Sequence, residues 1–145
     1  DAPIAILPLI ASGVLLSLAV LVFRRAVSRL RQGTDAGLQN LLWLAAGLGL
    51  VHVLLLIWVL VAAPLTPSEL AHDAVLTVML YYLLFHGGLA SIFTALQAVR
   101  VRMGYVALRL PYEPVVVQPF WMYTLGVFWM SFAAFILLPM AWGGA

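Results

Sequence analysis

Three histidines are the residues of this sequence that could bind a metal or move a proton. His52 and His86 lie in two separate apolar segments, each about a dozen residues from the end that adjoins an arginine-bearing connection. In helices that rise about 1.5 Å per residue, both imidazoles are expected roughly 18 to 20 Å deep in a membrane. Two neutral imidazoles at equal depth on neighbouring helices are the axial ligands that a b-type haem requires. One hypothesis is therefore a haem held by His52 and His86.

A structural role is the alternative for the same two residues. Each imidazole could donate a hydrogen bond to a backbone carbonyl or a hydroxyl of a neighbouring helix and so hold a helix bundle together. His72 stands beside Asp73 in a polar connection, and we expect it to be a solvated surface residue. The sequence leaves both possibilities open for His52 and His86.

Other chemical motifs are missing from the sequence. Cysteine is absent, which excludes disulfides, thiolate metal sites and thiol nucleophiles. The apolar segments contain no carboxylate of the kind that forms a proton relay or cation site. The sequence also contains no catalytic Ser/His/Asp set, phosphate-binding glycine loop or H-E-x-x-H zinc motif. We therefore expect no catalysis by this polypeptide alone, although it could belong to an oxidoreductase complex.

The composition predicts the elements that position these residues. Of 145 residues, 66% are hydrophobic and 8% are charged, and the mean hydropathy is +1.14. Soluble domains are roughly half apolar and about a quarter charged, so this is a membrane protein. A helix needs about 20 residues to cross a bilayer core, and backbone groups in lipid must pair within each segment. We predict one all-α transmembrane domain over 1–145, a four-helix bundle. Its apolar spans are 4–23, 40–63, 74–99 and 115–141.

Prolines and one capping motif predict where the helices begin. Pro8 marks either a kink or a late start of the first helix. Pro119 is expected in the first turn of the fourth helix, where a missing N–H costs little. Thr66 and Glu69 have the spacing of a capping box with Pro67 between them, which predicts that the third helix begins at residue 67.

The charges predict the orientation of the chain in the membrane. All seven positive charges are arginines, and they follow the first and third spans; they are Arg24, Arg25, Arg29, Arg31, Arg100, Arg102 and Arg109. The positive-inside rule places these connections in the cytoplasm and both termini on the outer side. We expect a multi-pass protein of the bacterial inner membrane. Scattered arginines do not form a nucleic-acid-binding face, so no nucleic acid is expected as a partner.

Arginine binds phosphate groups bidentately, and the anionic cytoplasmic leaflet attracts positive charge. We therefore predict that Arg24, Arg25 and Arg102 bind phospholipid headgroups.

Because the sequence begins with Asp1 and lacks a signal-peptide pattern, we also expect a processed chain or a piece of a longer product.

Small residues and tryptophans predict packing and depth. Gly87, Ser91 and Ala95 form a stripe at four-residue spacing on the third helix, which favours close contact with another helix. Tryptophans near the ends of the spans are expected at the membrane interfaces, and Trp129 lies deep in the last span. The interfacial tryptophans are Trp43, Trp58, Trp121 and Trp142.

Several strings in the second half of the chain carry a family resemblance. They are residues 66–72 (TPSELAH), 85–87 (FHG), 102–105 (RMGY), 111–114 (PYEP) and 120–123 (FWMY). From about residue 66 to residue 142 the chain resembles the last two helices of subunit III of haem-copper terminal oxidases, which reduce oxygen with electrons from cytochrome c or quinol. The likeness is closest to the forms in which subunit III is fused to the catalytic subunit. Leu89 stands where the family motif has a second histidine.

The resemblance implies an accessory transmembrane subunit of a respiratory chain. Such a subunit packs on the catalytic subunit I and the copper-bearing subunit II and holds phospholipids between its helices. It binds no haem or copper of its own, because those cofactors belong to the partner subunits. With four spans, the chain would be a shortened subunit III or one split from a fused form. A small b-type cytochrome or membrane anchor with His52 and His86 as haem ligands is one alternative, and an assembly or scaffold protein without a cofactor is another.

Overall fold

The computed structural model describes residues 6–32, 37–62, 65–66, 68–104 and 112–143. Three helices are uninterrupted: α1 (Ile6–Arg31), α2 (Leu38–Ala62) and α3 (Ala71–Arg102). The fourth, α4, comprises Tyr112–Phe132, the π-helical turn Ala133–Leu137 and Leu138–Gly143. All four are long and apolar enough to cross a membrane. No strand occurs in these ranges, so the prediction of an all-α protein with four membrane-spanning helices is confirmed.

The helices form a closed up-and-down bundle. Each helix packs against the next one in the chain, and α4 also packs against α1. Long helices joined by short connections must run antiparallel to their neighbours. The ends of α1 and α3 therefore lie at the same end of the bundle, which brings the arginines of the two helices to one side. The orientation of this side relative to the cytoplasm remains a prediction.

The polarity of the bundle is that of a protein surrounded by lipid. Large apolar side chains cover its outside, including Val61, Val78 and Met130, whereas several hydroxyl and amide side chains are buried inside. The buried polar residues are Ser12, His52, Ser91, Thr94, Gln97, Thr124 and Ser131. Because lipid chains are as apolar as leucine, small and polar residues are what hold such helices together.

The third helix begins later than the capping motif predicted. The backbone N–H and the hydroxyl of Thr66 both donate to one carboxylate oxygen of Asp73, at 2.9 and 3.0 Å. Thr66 is thus a donor to Asp73 and does not cap a helix that starts beside it. The helix starts at Ala71, after a turn in which Glu69 N–H donates to Thr66 O. The predicted start at residue 67 is wrong; Pro67 itself lies outside the described residues.

The two prolines that were expected near helix starts differ in outcome. Pro8 is the third described residue of α1, whose described part begins at Ile6, and the choice between a kink and a late start stays a prediction. Pro119 lies inside α4, because that helix begins at Tyr112, and the prediction of a first-turn position is wrong. Near the other end of α4, the π-helical turn ends two residues before Pro139, which has no N–H to donate to a regular helix.

Candidate functional site

His52 is completely buried where α1, α2 and α3 meet. Its Nδ1 lies 2.8 Å from the carbonyl oxygen of Ser12 and 2.8 Å from the Ser12 hydroxyl. Because a carbonyl only accepts, Nδ1 carries the proton and donates it to α1. The edge of the ring faces Gly87 of α3, and Phe128 of α4 packs edge-on at a centroid distance of 5.6 Å. His52 therefore ties the helices together, as the structural alternative proposed.

His86 lies on the opposite side of α3, in a different environment. Its Nδ1 lies 2.9 Å from the carbonyl oxygen of Tyr82 and donates to it. The ring lies 4.0 Å from the ring of Tyr82, measured between centroids, and stacks on Phe120 of α4 at 5.8 Å. The imidazole is only half-buried and belongs to an outward-facing group of aromatic side chains.

The structure does not bring the two imidazoles together. His52 is enclosed by Ser12, Gly87 and Phe128, whereas His86 packs among tyrosine and phenylalanine rings at the α3–α4 surface. Close packing around His52 leaves no gap for a porphyrin between the two rings. Equal depth in the membrane stays a prediction, and the rotation of each helix aims the two rings apart. Haem ligation by this pair stays a prediction that the packing disfavours.

The third histidine lies at the surface. His72 is exposed at the start of α3, and its Nδ1 lies 3.7 Å from a carboxylate oxygen of Asp73. Among the described residues, no group of three or more His, Asp or Glu side chains comes close enough together to hold a metal ion.

Small residues mediate the contact between α2 and α3. Gly49 faces Ser91, whose hydroxyl occupies the place of a side chain on Gly49. One turn away Gly87 faces His52, where a Cβ would stand 3.0 Å from the ring. Of the predicted stripe, Gly87 and Ser91 are buried in this crossing and Ala95 is half-buried.

Two tryptophans connect helices by hydrogen bonds. Trp121 of α4 is fully buried, and its Nε1 donates to the Thr94 hydroxyl of α3 at 2.8 Å. Trp121 therefore does not face lipid headgroups, because a buried hydroxyl satisfies its N–H; its depth in the membrane stays a prediction. Trp129 donates to the Ser17 hydroxyl of α1 at 3.1 Å, which accounts for its depth.

The arginine end of the bundle has a polar groove between α1 and α4. It consists of two adjoining hollows of about 320 and 510 Å³ that share Arg24, Arg31 and Gln118. We call it the arginine groove; its other lining residues are Val27, Ser28, Gln32, Pro119 and Met122. Arg24 was predicted to meet lipid headgroups, and the structure places it here. Arg25 and Arg102, predicted with it, are exposed but do not line the groove.

The sequence did not indicate Arg31 and Gln118 as site residues. Arg31 was expected at the lipid headgroups only as one of the cytoplasmic arginines and was not singled out, and Gln118 is separated from it by most of the chain. The spacing of Arg24 and Arg31 by two helical turns was the one available signal, since it puts both side chains on one face of α1.

A second hollow of about 430 Å³ lies on the other side of α4, against α3. Phe93, Gln97, Arg100 and Val117 line it together with Leu96. The Gln97 side-chain oxygen is buried and has no hydrogen-bond partner among the described residues. The beginning of α4 thus has polar hollows on both flanks.

Comparison of the chain with protein-family models, curated proteins and solved structures finds no match. The likeness to subunit III therefore rests on the short strings in the second half of the sequence.

Proposed function

We propose that the chain is an accessory, non-catalytic membrane subunit that holds phospholipid and packs on the catalytic core of a haem-copper terminal oxidase. In this proposal subunits I and II carry the haem and copper and reduce oxygen. The resemblance to subunit III supplies the choice of complex. The observation that carries the lipid-holding role is the arginine groove.

The groove has the chemistry of a phosphate site. Arg24 and Arg31 contribute two guanidinium groups from one face of α1, and Gln118 contributes an amide from α4. A guanidinium offers two parallel N–H donors to a phosphate, which a point charge does not. The described lining residues include no carboxylate that would compete for the arginines.

The surroundings of the groove favour a lipid over a free phosphate. Pro119 and Met122 continue the groove along α4 towards the apolar middle of the bundle, and Met122 is 43% exposed. A phosphodiester at the arginines would thus have an apolar surface beside it for its acyl chains. The positive-inside rule assigns the arginine end to the cytoplasmic leaflet, where anionic headgroups are concentrated.

The interior of the bundle fits a supporting role. Ser12 pairs with His52, Thr94 with Trp121 and Ser17 with Trp129, each pair joining two different helices. These polar side chains are engaged in holding the helices in place. The surfaces that remain for interaction are the sides of the bundle and its arginine end.

A matched pair of double variants tests the lipid site. Arg24→Gln with Arg31→Gln removes both guanidiniums from the groove, whereas Arg25→Gln with Arg102→Gln removes the same charge from exposed positions outside it. Each complex is purified from native membranes in mild detergent, and retained phospholipid is measured by phosphorus analysis and native mass spectrometry. We expect the groove variant to lose a tightly bound phospholipid and the control variant to keep it, with near-normal initial oxygen reduction in both.

Two outcomes would overturn this proposal. Equal phospholipid retention in both variants would show that the groove holds no lipid. An immediate loss of oxygen reduction in the groove variant, with its phospholipid intact, would instead indicate that the arginines act directly in catalysis or proton uptake.

A further inference from the structure

A patch of aromatic side chains covers the outer surface where α3 meets α4. One part of it, from Tyr82 to His86, lies about halfway along α3, whereas Phe93 lies nearer the arginine end and lines a hollow together with Arg100. Phe85 is 62% exposed and Tyr123 is 51% exposed, so this part of the patch lies open on the outside of the bundle. We call it the aromatic patch; its residues are Tyr82, Phe85, His86, Phe93, Phe120 and Tyr123.

The polar atoms of this patch are only partly used. The hydroxyls of Tyr82 and Tyr123 bond to each other, so one hydroxyl donates and the proton of the other is spare. His86 donates from Nδ1 to the carbonyl oxygen of Tyr82, which leaves Nε2 as a bare acceptor. Within the described part of the chain no other group bonds to Nε2. The patch therefore presents one spare donor and one spare acceptor.

The middle of a membrane is a poor environment for such groups. Lipid chains offer no hydrogen-bond partners, and tyrosine hydroxyls are normally found at the interfaces, where water reaches them. A protein surface that covers the patch would have to supply both an acceptor and a donor at matching positions.

A second copy of this chain meets these requirements by symmetry. In a two-fold dimer whose axis is parallel to the membrane normal, equivalent residues lie at the same depth and each contact occurs twice. The spare tyrosine O–H of each copy can then donate to His86 Nε2 of the other copy. This pairing needs donor and acceptor at similar depth, and the Tyr82 and His86 rings are only 4.0 Å apart.

We infer that the aromatic patch is a dimer interface, in which two copies of the chain pair through reciprocal tyrosine-to-His86 hydrogen bonds within the membrane. The surrounding phenylalanines pack across the same contact. The position of the patch agrees with this, because α4 is the least buried of the four helices and leaves this side of the bundle open. The inference goes beyond the proposed function and does not depend on it.

Disulfide cross-linking tests the interface in the full chain, which contains no cysteine of its own. Phe85→Cys places one thiol in the patch, and Leu50→Cys places one at a similarly exposed mid-span position on α2. Both variants are oxidised in native membranes and run on non-reducing gels. We expect Phe85→Cys to form a band of twice the chain mass and Leu50→Cys to remain monomeric.

Two further variants test the hydrogen bonds in the Phe85→Cys chain. His86→Leu removes the acceptor, and we expect it to lower the yield of cross-linked dimer about five-fold. His86→Gln keeps an acceptor and should restore much of that yield. Circular dichroism of each variant, measured in detergent, establishes that the helical fold is retained.

The inference is overturned if Phe85→Cys cross-links no more than Leu50→Cys. It is equally overturned if the thiol links only to a different protein, which would make the patch a contact with another subunit. An unchanged dimer yield in the folded His86→Leu variant would refute the reciprocal hydrogen bonds.

Discussion

The imidazole of His52 on α2 packs edge-on against the bare backbone of Gly87 on α3. A Cβ on Gly87 would stand 3.0 Å from His52 Cδ2 and 3.1 Å from Nε2. The ring cannot easily move away, because its Nδ1 is held by Ser12 of α1. This relationship makes glycine the residue that lets α2 and α3 approach so closely.

The first prediction concerns this glycine. Gly87→Ala should destabilise the bundle by about 1 to 2 kcal/mol, since the added methyl group overpacks a contact whose partner is fixed. Gly88→Ala is the matched control, because nothing lies within 4 Å of a Cβ at that position. The free energy of unfolding of each variant is measured by adding a denaturing detergent in increasing amounts and following the loss of helix by circular dichroism. Equal stabilities would show that the close approach at Gly87 is not a constraint.

The second prediction concerns the hydrogen bond from Trp121 to Thr94. Thr94→Val removes the acceptor but nearly keeps the shape, and we expect a loss of about 1 kcal/mol because the buried N–H of Trp121 is left unpaired. The same substitution should cost less in a Trp121→Phe background, where that N–H is absent. If Thr94→Val costs the same in both backgrounds, the bond contributes nothing to stability.

The third prediction separates the two roles considered for His52. His52→Ala should leave the visible spectrum of the purified complex unchanged, because Nε2, the ring nitrogen that could bind iron, faces the backbone of Gly87 in a fully buried site. It should also lower stability, by about 2 kcal/mol, through the cavity it leaves. Loss of a b-type Soret band in this variant would instead favour the haem-binding alternative.

The fourth prediction is the membrane orientation. Single cysteines at positions 28 and 107 should react with thiol reagents from the cytoplasmic side, and a cysteine at position 68 from the outer side. The reason is that the arginines of α1 and α3 lie at one end of the bundle, which the positive-inside rule assigns to the cytoplasm. The reverse labelling pattern would invert the topology and place the arginine groove in the outer leaflet.

The four membrane spans could be predicted from the sequence because they depend on composition alone. Uncharged apolar segments must become helices in lipid, whatever their neighbours are. The helix ends were less certain because they depend on local competition for hydrogen bonds. Asp73 takes both donors of Thr66, and this outcome is not visible in the T-x-x-E spacing.

The rotation of each helix could not be predicted. His52 and His86 were expected at equal depth, but depth does not say which way a ring points, and the structure aims the two apart. The partner of Trp121 was hidden for the same reason, since Thr94 is a neighbour only after α3 and α4 pack. The arginine groove likewise needs Arg31 and Gln118, which are far apart in the sequence and become neighbours only when α1 and α4 pack.

Purification of the tagged full chain from its native membranes tests the proposed function most directly. The optical spectrum, the copper content and the protein partners of the purified material are measured, and the isolated chain is the control. We expect haem, copper and two larger subunits to co-purify with oxygen-reducing activity, while the isolated chain is colourless. Co-purification without haem or copper, or a haem spectrum from the isolated chain itself, would contradict the assignment as an accessory oxidase subunit.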